Sequence, residues 1–258
     1  MGNGILEGVE GVGGILEKSF GRYGTKTGAR DYLGMLHQKE EIAACIEAVY
    51  KKISENYKKG SDSYSSQNWR FTLEVKIDPR NASAEKVLEK GIAKSMYGSG
   101  AHSWANQVPV ASGLSFHRRD TKRSIDLVHE LGKGSYEFIE LKVASNNPVY
   151  AAIEVLVYGI VYVFFRVGGP ETNRTAMKTD HDTRLLTANK VSLKAIAPSN
   201  YYQSYDKNQL RALADLFSDA VGDLAKNKIQ NLRMNLSFEE FPDKGSPVNN
   251  FLENRSAI

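Results

Sequence analysis

A single cysteine, Cys45, stands among 258 residues, which excludes an intramolecular disulfide framework and any cysteine-rich zinc module. Its neighbours Ile42, Ile46 and Val49 mark it as a small buried hydrophobe, and a chain this poor in cysteine is expected in a reducing, cytoplasmic location. Long apolar runs are lacking too. The longest, Val155 to Phe165, has eleven residues with Gly159 inside it. A membrane span needs about eighteen, so a buried helix and no membrane partner are expected. The opening MGNGILEG carries no Lys or Arg and no extended apolar stretch, and no secretory signal is read there. An excess of one charge is also missing. The chain has 34 Lys and Arg against 30 Asp and Glu, a net +4, which excludes a histone-like polycation and requires any nucleic-acid affinity to come from local patterning.

What is present is a hydrophobic content of 41%, enough for one well-filled core. Composition divides the chain into a glycine-rich arm over 1–36, expected to be loosely packed and mobile, with the tetrapeptide GILE at 4–7 and 14–17, a single domain over 37–241, and a polar tail over 242–258. Apolar residues spaced by three and four, Ile42, Cys45, Ile46, Val49, Ile53 and Tyr57, predict an amphipathic helix over 38–57. Alternation at Phe71, Leu73, Val75 and Ile77 predicts a strand ended by Pro79. Ser83 is the expected N-cap of a helix to about Met96, and a long loop is expected through Trp104 to Pro109. Strands are then predicted at 112–118, 124–130 and 136–143, the last two joined by the turn LGKG and therefore antiparallel. Asn147-Pro148 opens a helix to about Arg166. A strand at 190–198, a helix capped by Asp206 and a strand at 233–241 follow.

The chemistry concentrates in two of these strands. Asp126 sits between Ile125 and Leu127. Glu140 and Lys142 flank Leu141, so they share one face of their strand while Ile139, Leu141 and Val143 share the other. If the strands pair through LGKG, Asp126 faces Glu140, and two carboxylates and an ammonium meet. Carboxylates so close repel one another, and a hard divalent cation such as magnesium relieves that repulsion. A lysine beside it can orient a phosphate or the attacking water. The same residues on a solvated face would form an ion pair worth under about 1 kcal/mol. The apolar flanks of SIDLVHE and FIELKV argue against an open face.

A hydrophobic residue before Asp126, thirteen intervening residues, then Glu140-Leu141-Lys142 on a hydrophobic strand followed by a helix resembles the PD-(D/E)XK nuclease superfamily. Ile125 stands where the motif usually has proline. The resemblance spans about 83–197. It implies an α/β fold with a restriction-endonuclease-like αβββαβ core, a mixed sheet flanked by helices, and N-terminal helical and C-terminal additions. It further implies a nuclease with Asp126, Glu140 and Lys142 catalytic. Magnesium, or manganese in its place, would be held by Asp126, Glu140 and the Leu141 carbonyl, and cleavage would leave a 5′-phosphate. DNA is the expected partner, with RNA a second candidate, and a homodimer would suit the two strands of a duplex.

Three further groups of residues belong to this reading. Glu154 and Tyr158, one turn apart on a nearly all-apolar helix, are similar to the Gln-X-X-X-Tyr pattern of exonuclease-type members, with Glu for Gln; otherwise Glu154 needs a cationic partner from another element. An acid from the helix before the strands is expected, Glu89 ahead of Glu85, with Glu40, Glu41 and Glu47 as rivals. Arg118, Arg119, Lys122 and Arg123 crowd the turn before Asp126, where they could hold a phosphate backbone. His117 and His129 are read as structural, and Trp104, Asn106 and Gln107 as loop residues that touch bases or close over a core. A non-catalytic nucleic-acid or protein binding module on the same fold is the main alternative. A non-nuclease enzyme or an oligomeric scaffold whose strand charges form ion pairs is a third.

Overall fold

The computed structural model describes residues 5–35, 38–60, 68–76, 83–100, 102–110, 123–143, 147–167, 182 and 184–258. The helices are α1 (Ile5–Gly8), α2 (Val12–Phe20), α3 (Lys26–Leu33), α4 (Lys39–Gly60), α5 (Ala84–Gly98), α6 (Pro148–Arg166), α7 (Ser199–Tyr202), α8 (Lys207–Lys228) and α9 (Pro247–Glu253). The strands are β1 (Trp104–Pro109), β2 (Ser124–Gly132), β3 (Ser135–Leu141), β4 (Lys190–Pro198), β5 (Arg233–Phe241) and β6 (Ser256–Ala257). They form one six-stranded mixed sheet in sequential order. β1, β2 and β3 make an antiparallel meander, β4 and β5 add in parallel to β3, and β6 closes the edge antiparallel to β5. The parallel steps need long returns, and α6 and α8 supply them. Between α5 and β4 the elements run helix, three strands, helix, strand.

Helices cover both faces of the sheet. The larger core gathers α1 to α4, α6 and α8 with Ala105, Val128, Tyr136, Phe138 and Leu193. The smaller one joins Leu88 and Ile92 of α5 and Phe251 of α9 to Leu127, Ile139, Leu141 and Ile196. Every residue of α6 from Ala151 to Phe165 is buried. By length and hydropathy α6 alone among the described helices could cross a membrane, but 94% of that stretch is covered by the rest of the fold. Its start follows the local chemistry: the Asn147 side chain accepts the Tyr150 N–H at 3.0 Å and Pro148 takes a position whose N–H would be unused. Gly159 lets the helix lie against the sheet, because a Cβ there would meet Leu193 Cδ1 at 2.6 Å. Between β2 and β3, Gly134 takes φ +76° in the tight turn, a conformation glycine adopts without strain.

Four expectations need correction. Residues 5–35 are not a loose arm, because Ile5, Val9, Val12, Leu16 and Phe20 are all buried in the larger core. Their spacing of three and four is a helical pattern diluted by glycines. The polar tail is structured as well, with α9 planting Phe251 in the smaller core. The loop expected at 104–109 is strand β1, and the strand expected at 112–118 falls outside the described residues. Residues 70–76 form no regular strand. The Asn106 side chain takes the place of a neighbouring strand there, accepting the Glu74 N–H at 2.6 Å and donating to the Glu74 carbonyl at 3.0 Å.

Candidate active site

Pairing of Leu127 with Ile139 and of Val128 with Phe138, continued by one residue, sets Asp126 opposite Glu140. The Leu141 N–H donates to Asp126 Oδ2 at 3.1 Å, tying the end of one strand to the other. Leu141 turns into the smaller core, so alternation sends Glu140 and Lys142 to the α6 side. There Lys142 Nζ lies 2.6 Å from Glu140 Oε1 and 2.7 Å from Glu154 Oε2, and 5.9 Å from the Tyr150 ring centroid. Tyr158, one turn beyond Glu154, donates its hydroxyl to the Ser124 carbonyl at 2.8 Å, fastening the start of β2 to α6.

The other half of the site comes from α5 and β1. Glu89 is buried; its Oε1 accepts from Asn106 at 2.7 Å, and its Oε2 from Gln107 and Lys86, each at 2.8 Å. Gln107 Nε2 also reaches Asp126 Oδ1 at 3.4 Å, and Ser124 Oγ donates to its Oε1 at 3.2 Å. To place that amide, Gln107 adopts φ +48° inside a strand. Such a conformation costs a non-glycine residue on the order of 1 kcal/mol. Glu85 instead accepts the Val143 N–H at 3.3 Å.

Among the described residues four carboxylates, Glu89, Asp126, Glu140 and Glu154, thus share three ammoniums, Lys86, Lys90 and Lys142. The surplus of negative charge shows in the titration of its members. Burial, reinforced by Asp126 and Glu154 against the pull of Lys142, raises the Glu140 carboxyl well above the usual range. Burial and Asp126 raise Glu89, and burial raises Glu154 despite Lys142. Burial alone would depress Lys142, but Glu140, Glu154 and Asp126 outweigh it and hold the ammonium firmly charged. Burial and the same three carboxylates keep the Tyr158 hydroxyl protonated. Among the described residues Glu140 Oε2 is buried without a hydrogen-bond partner, and a lone carboxylate oxygen is costly to bury.

The structure therefore gathers Asp126, Glu140, Leu141, Lys142, Glu89, Glu154 and Tyr158 in one place. The motif lysine is itself the cationic partner that Glu154 requires. Glu47, a rival acid, pairs with Lys228 where α4 meets α8. Arg118, Arg119, Lys122 and His117 lie outside the described residues, and Arg123 stands at the entry to β2 with its carbonyl accepting the Val110 N–H at 3.1 Å. Trp104 stacks on His129 at 4.0 Å. Sequence reasoning missed Lys86, Asn106 and Gln107 as members of the site. A Lys three residues before Glu89 was the available signal for Lys86; the two amides resemble ordinary loop residues. Among the described residues, no three His, Cys, Asp or Glu side chains form a ready-made metal cluster. Comparison with protein-family models, curated proteins and solved structures returned no match.

The opposite sheet face carries a contrasting cluster. Glu137 meets Lys194 at 2.9 Å, Arg255 at 3.2 Å and His129 Nδ1 at 3.3 Å, while Glu239 pairs with both Lys194 and Arg255. There each acid has its cation, as expected of a structural network.

Proposed function

We propose that this chain is a metal-dependent nuclease that hydrolyses phosphodiester bonds in DNA, on a restriction-endonuclease-like core made of α5, β1, β2, β3, α6 and β4. The observation that carries the reading is the excess of acids over ammoniums around Asp126 and Glu140, with Glu140 Oε2 buried and, among the described residues, unpartnered. Hard oxygen donors in excess of their ammonium partners suit a divalent ion. Asp126, Glu140 and the Leu141 carbonyl would hold magnesium, or manganese in its place. Bound there, the ion supplies charge neutralisation at the phosphate and a lowered pKa for a coordinated water.

The chain's own groups do the rest. Lys142, kept charged by its carboxylates, is suited to orienting the attacking water and a phosphate oxygen, not to removing a proton. Glu154 fixes the direction of that ammonium. Tyr158 holds β2 against α6 so that Asp126 and Glu140 keep their separation. Hydrolysis adds the water oxygen to phosphorus as the bond to the 3′ oxygen breaks, leaving a 5′-phosphate and a 3′-hydroxyl that takes up the proton.

One observation favours a second reading. Lys142 is already engaged by two carboxylates, which would also suit a non-nuclease enzyme or an oligomeric scaffold whose strand charges are internally paired. Incubating the protein with plasmid, linear and single-stranded DNA and with RNA, in magnesium, manganese or chelator, decides between them. Metal-dependent cleavage of DNA that is lost in Asp126→Ala and Lys142→Ala supports the nuclease. No cleavage under any condition, or undiminished cleavage in both variants, overturns it.

A further inference from the structure

Lys86 Nζ lies 2.8 Å from Glu89 Oε2 and 3.8 Å from Asp126 Oδ1. The Gln107 amide nitrogen faces the same two oxygens, at 2.8 and 3.4 Å. One full charge and one dipole thus bridge two carboxylates, from α5 and from β2, that would otherwise repel each other. Their remaining oxygens are committed elsewhere, Glu89 Oε1 to Asn106 and Asp126 Oδ2 to the Leu141 N–H. The bridged pair is therefore where a cation finds unspent negative charge on Asp126. Lys86 and Lys142 also differ in freedom. The Lys86 side chain is 27% exposed and that of Lys142 13%, whereas Glu89 is 2% exposed and fixed. A flexible four-carbon stem at the rim can swing outward, and the acid beneath it cannot follow.

On the metal-binding reading of Asp126 given above, we infer that Lys86 is an internal counter-cation, seated on Asp126 Oδ1 and Glu89 Oε2 when no divalent ion is bound and displaced when one binds. The two cations compete for the same oxygens. The lysine keeps the empty site from carrying its full repulsion, and it weakens the site's affinity for the ion. Displacement also turns a positive charge toward solvent beside the metal, where an anionic phosphodiester would approach.

Manganese binding to the full chain, followed by the paramagnetic resonance of the free ion, tests this. Lys86→Met, which keeps the stem and removes the charge, is expected to bind manganese roughly tenfold tighter than wild type. Lys86→Arg is expected to bind close to wild type, and Asp126→Asn far more weakly than either. Binding by Lys86→Met no tighter than wild type, with Asp126→Asn still defective, overturns the counter-cation and leaves the metal site standing. No saturable binding by any of the proteins overturns both. Thermal melting is an independent check: the rise in Tm on adding manganese is expected to be larger for Lys86→Met than for wild type, and equal rises count against the inference.

Discussion

The Leu141 N–H donates to Asp126 Oδ2 at 3.1 Å, so a side-chain oxygen continues the ladder just beyond the backbone pairing of Leu127 with Ile139. One oxygen of Asp126 serves the fold, and the other faces Gln107 and Lys86. Asp126→Asn can keep the first bond while removing the charge; Asp126→Ala removes both. Each is expected to lose cleavage by about a hundredfold or more. Asp126→Ala is also expected to lose roughly 1–2 kcal/mol of stability, because the Leu141 N–H is left without its acceptor. Urea denaturation beside plasmid cleavage checks both halves. Equal stability of the two variants would remove the structural role assigned to Oδ2.

Glu140 is expected to make the fold less stable at neutral pH than a neutral side chain would. Burial, Asp126 and Glu154 raise its carboxyl well above the usual range, so the folded chain binds a proton that the unfolded chain releases. Its contribution is most favourable below the ordinary glutamate value and is lost as pH rises through the folded value. Glu140→Gln is therefore expected to be more stable than the wild type at pH 7 in chelator, while cleavage is lost. As pH rises from the ordinary glutamate value through the raised folded value, the wild type should lose stability relative to the variant. Parallel stability curves for the two proteins would refute this account.

Much of this arrangement was legible in the sequence because the signals were local. Ser83 and Asp206 cap α5 and α8 as read, Asn147-Pro148 starts α6, and alternation put Glu140 and Lys142 on one face. β1 was not legible, because the residues that make Asn106 and Gln107 tolerable inside a strand, Glu74 and Glu89, lie 32 and 17 or 18 positions away. The N-terminal helices were obscured for a different reason. Their glycines suggested mobility, although Ile5, Val9, Val12 and Leu16 already carried a helical spacing whose partners, on α4 and α6, are remote in sequence. The spacing of Lys86 from Glu89 shows only a pair on one helix, and only the approach of β2 adds Asp126 to its surroundings.

Gln107 combines a left-handed backbone, φ +48°, with an amide that joins Glu89 to Asp126. Glycine ordinarily destabilises a strand by roughly 0.5–1 kcal/mol relative to alanine. Here that order should reverse, because glycine adopts this φ freely and alanine does not. Gln107→Gly is expected to be more stable than Gln107→Ala by about 1 kcal/mol. Both should lower kcat more than they raise KM, as a loss of positioning would. The usual order of the two variants in urea denaturation would argue against backbone strain at this residue.

Glu137 should behave in the opposite sense from Glu140. Burial alone would raise its carboxyl, but His129, Arg255 and Lys194 outweigh burial and bring it from 4.5 down to about 2. A depressed folded value contributes stability above the ordinary glutamate range, and that stability is lost as pH falls toward about 2. The difference corresponds to roughly 3 kcal/mol at neutral pH. Glu137→Gln is accordingly expected to be less stable at pH 7, with little further loss of its own between about pH 4.5 and 2. Because Glu137 lies on the sheet face opposite Glu140, metal-dependent cleavage by the folded variant should stay near the wild-type rate at low temperature. Denaturation curves across that acid range decide the matter: if wild type and Glu137→Gln lose stability in parallel, the Lys194 and Arg255 pairings do not stabilise the protein as their geometry implies.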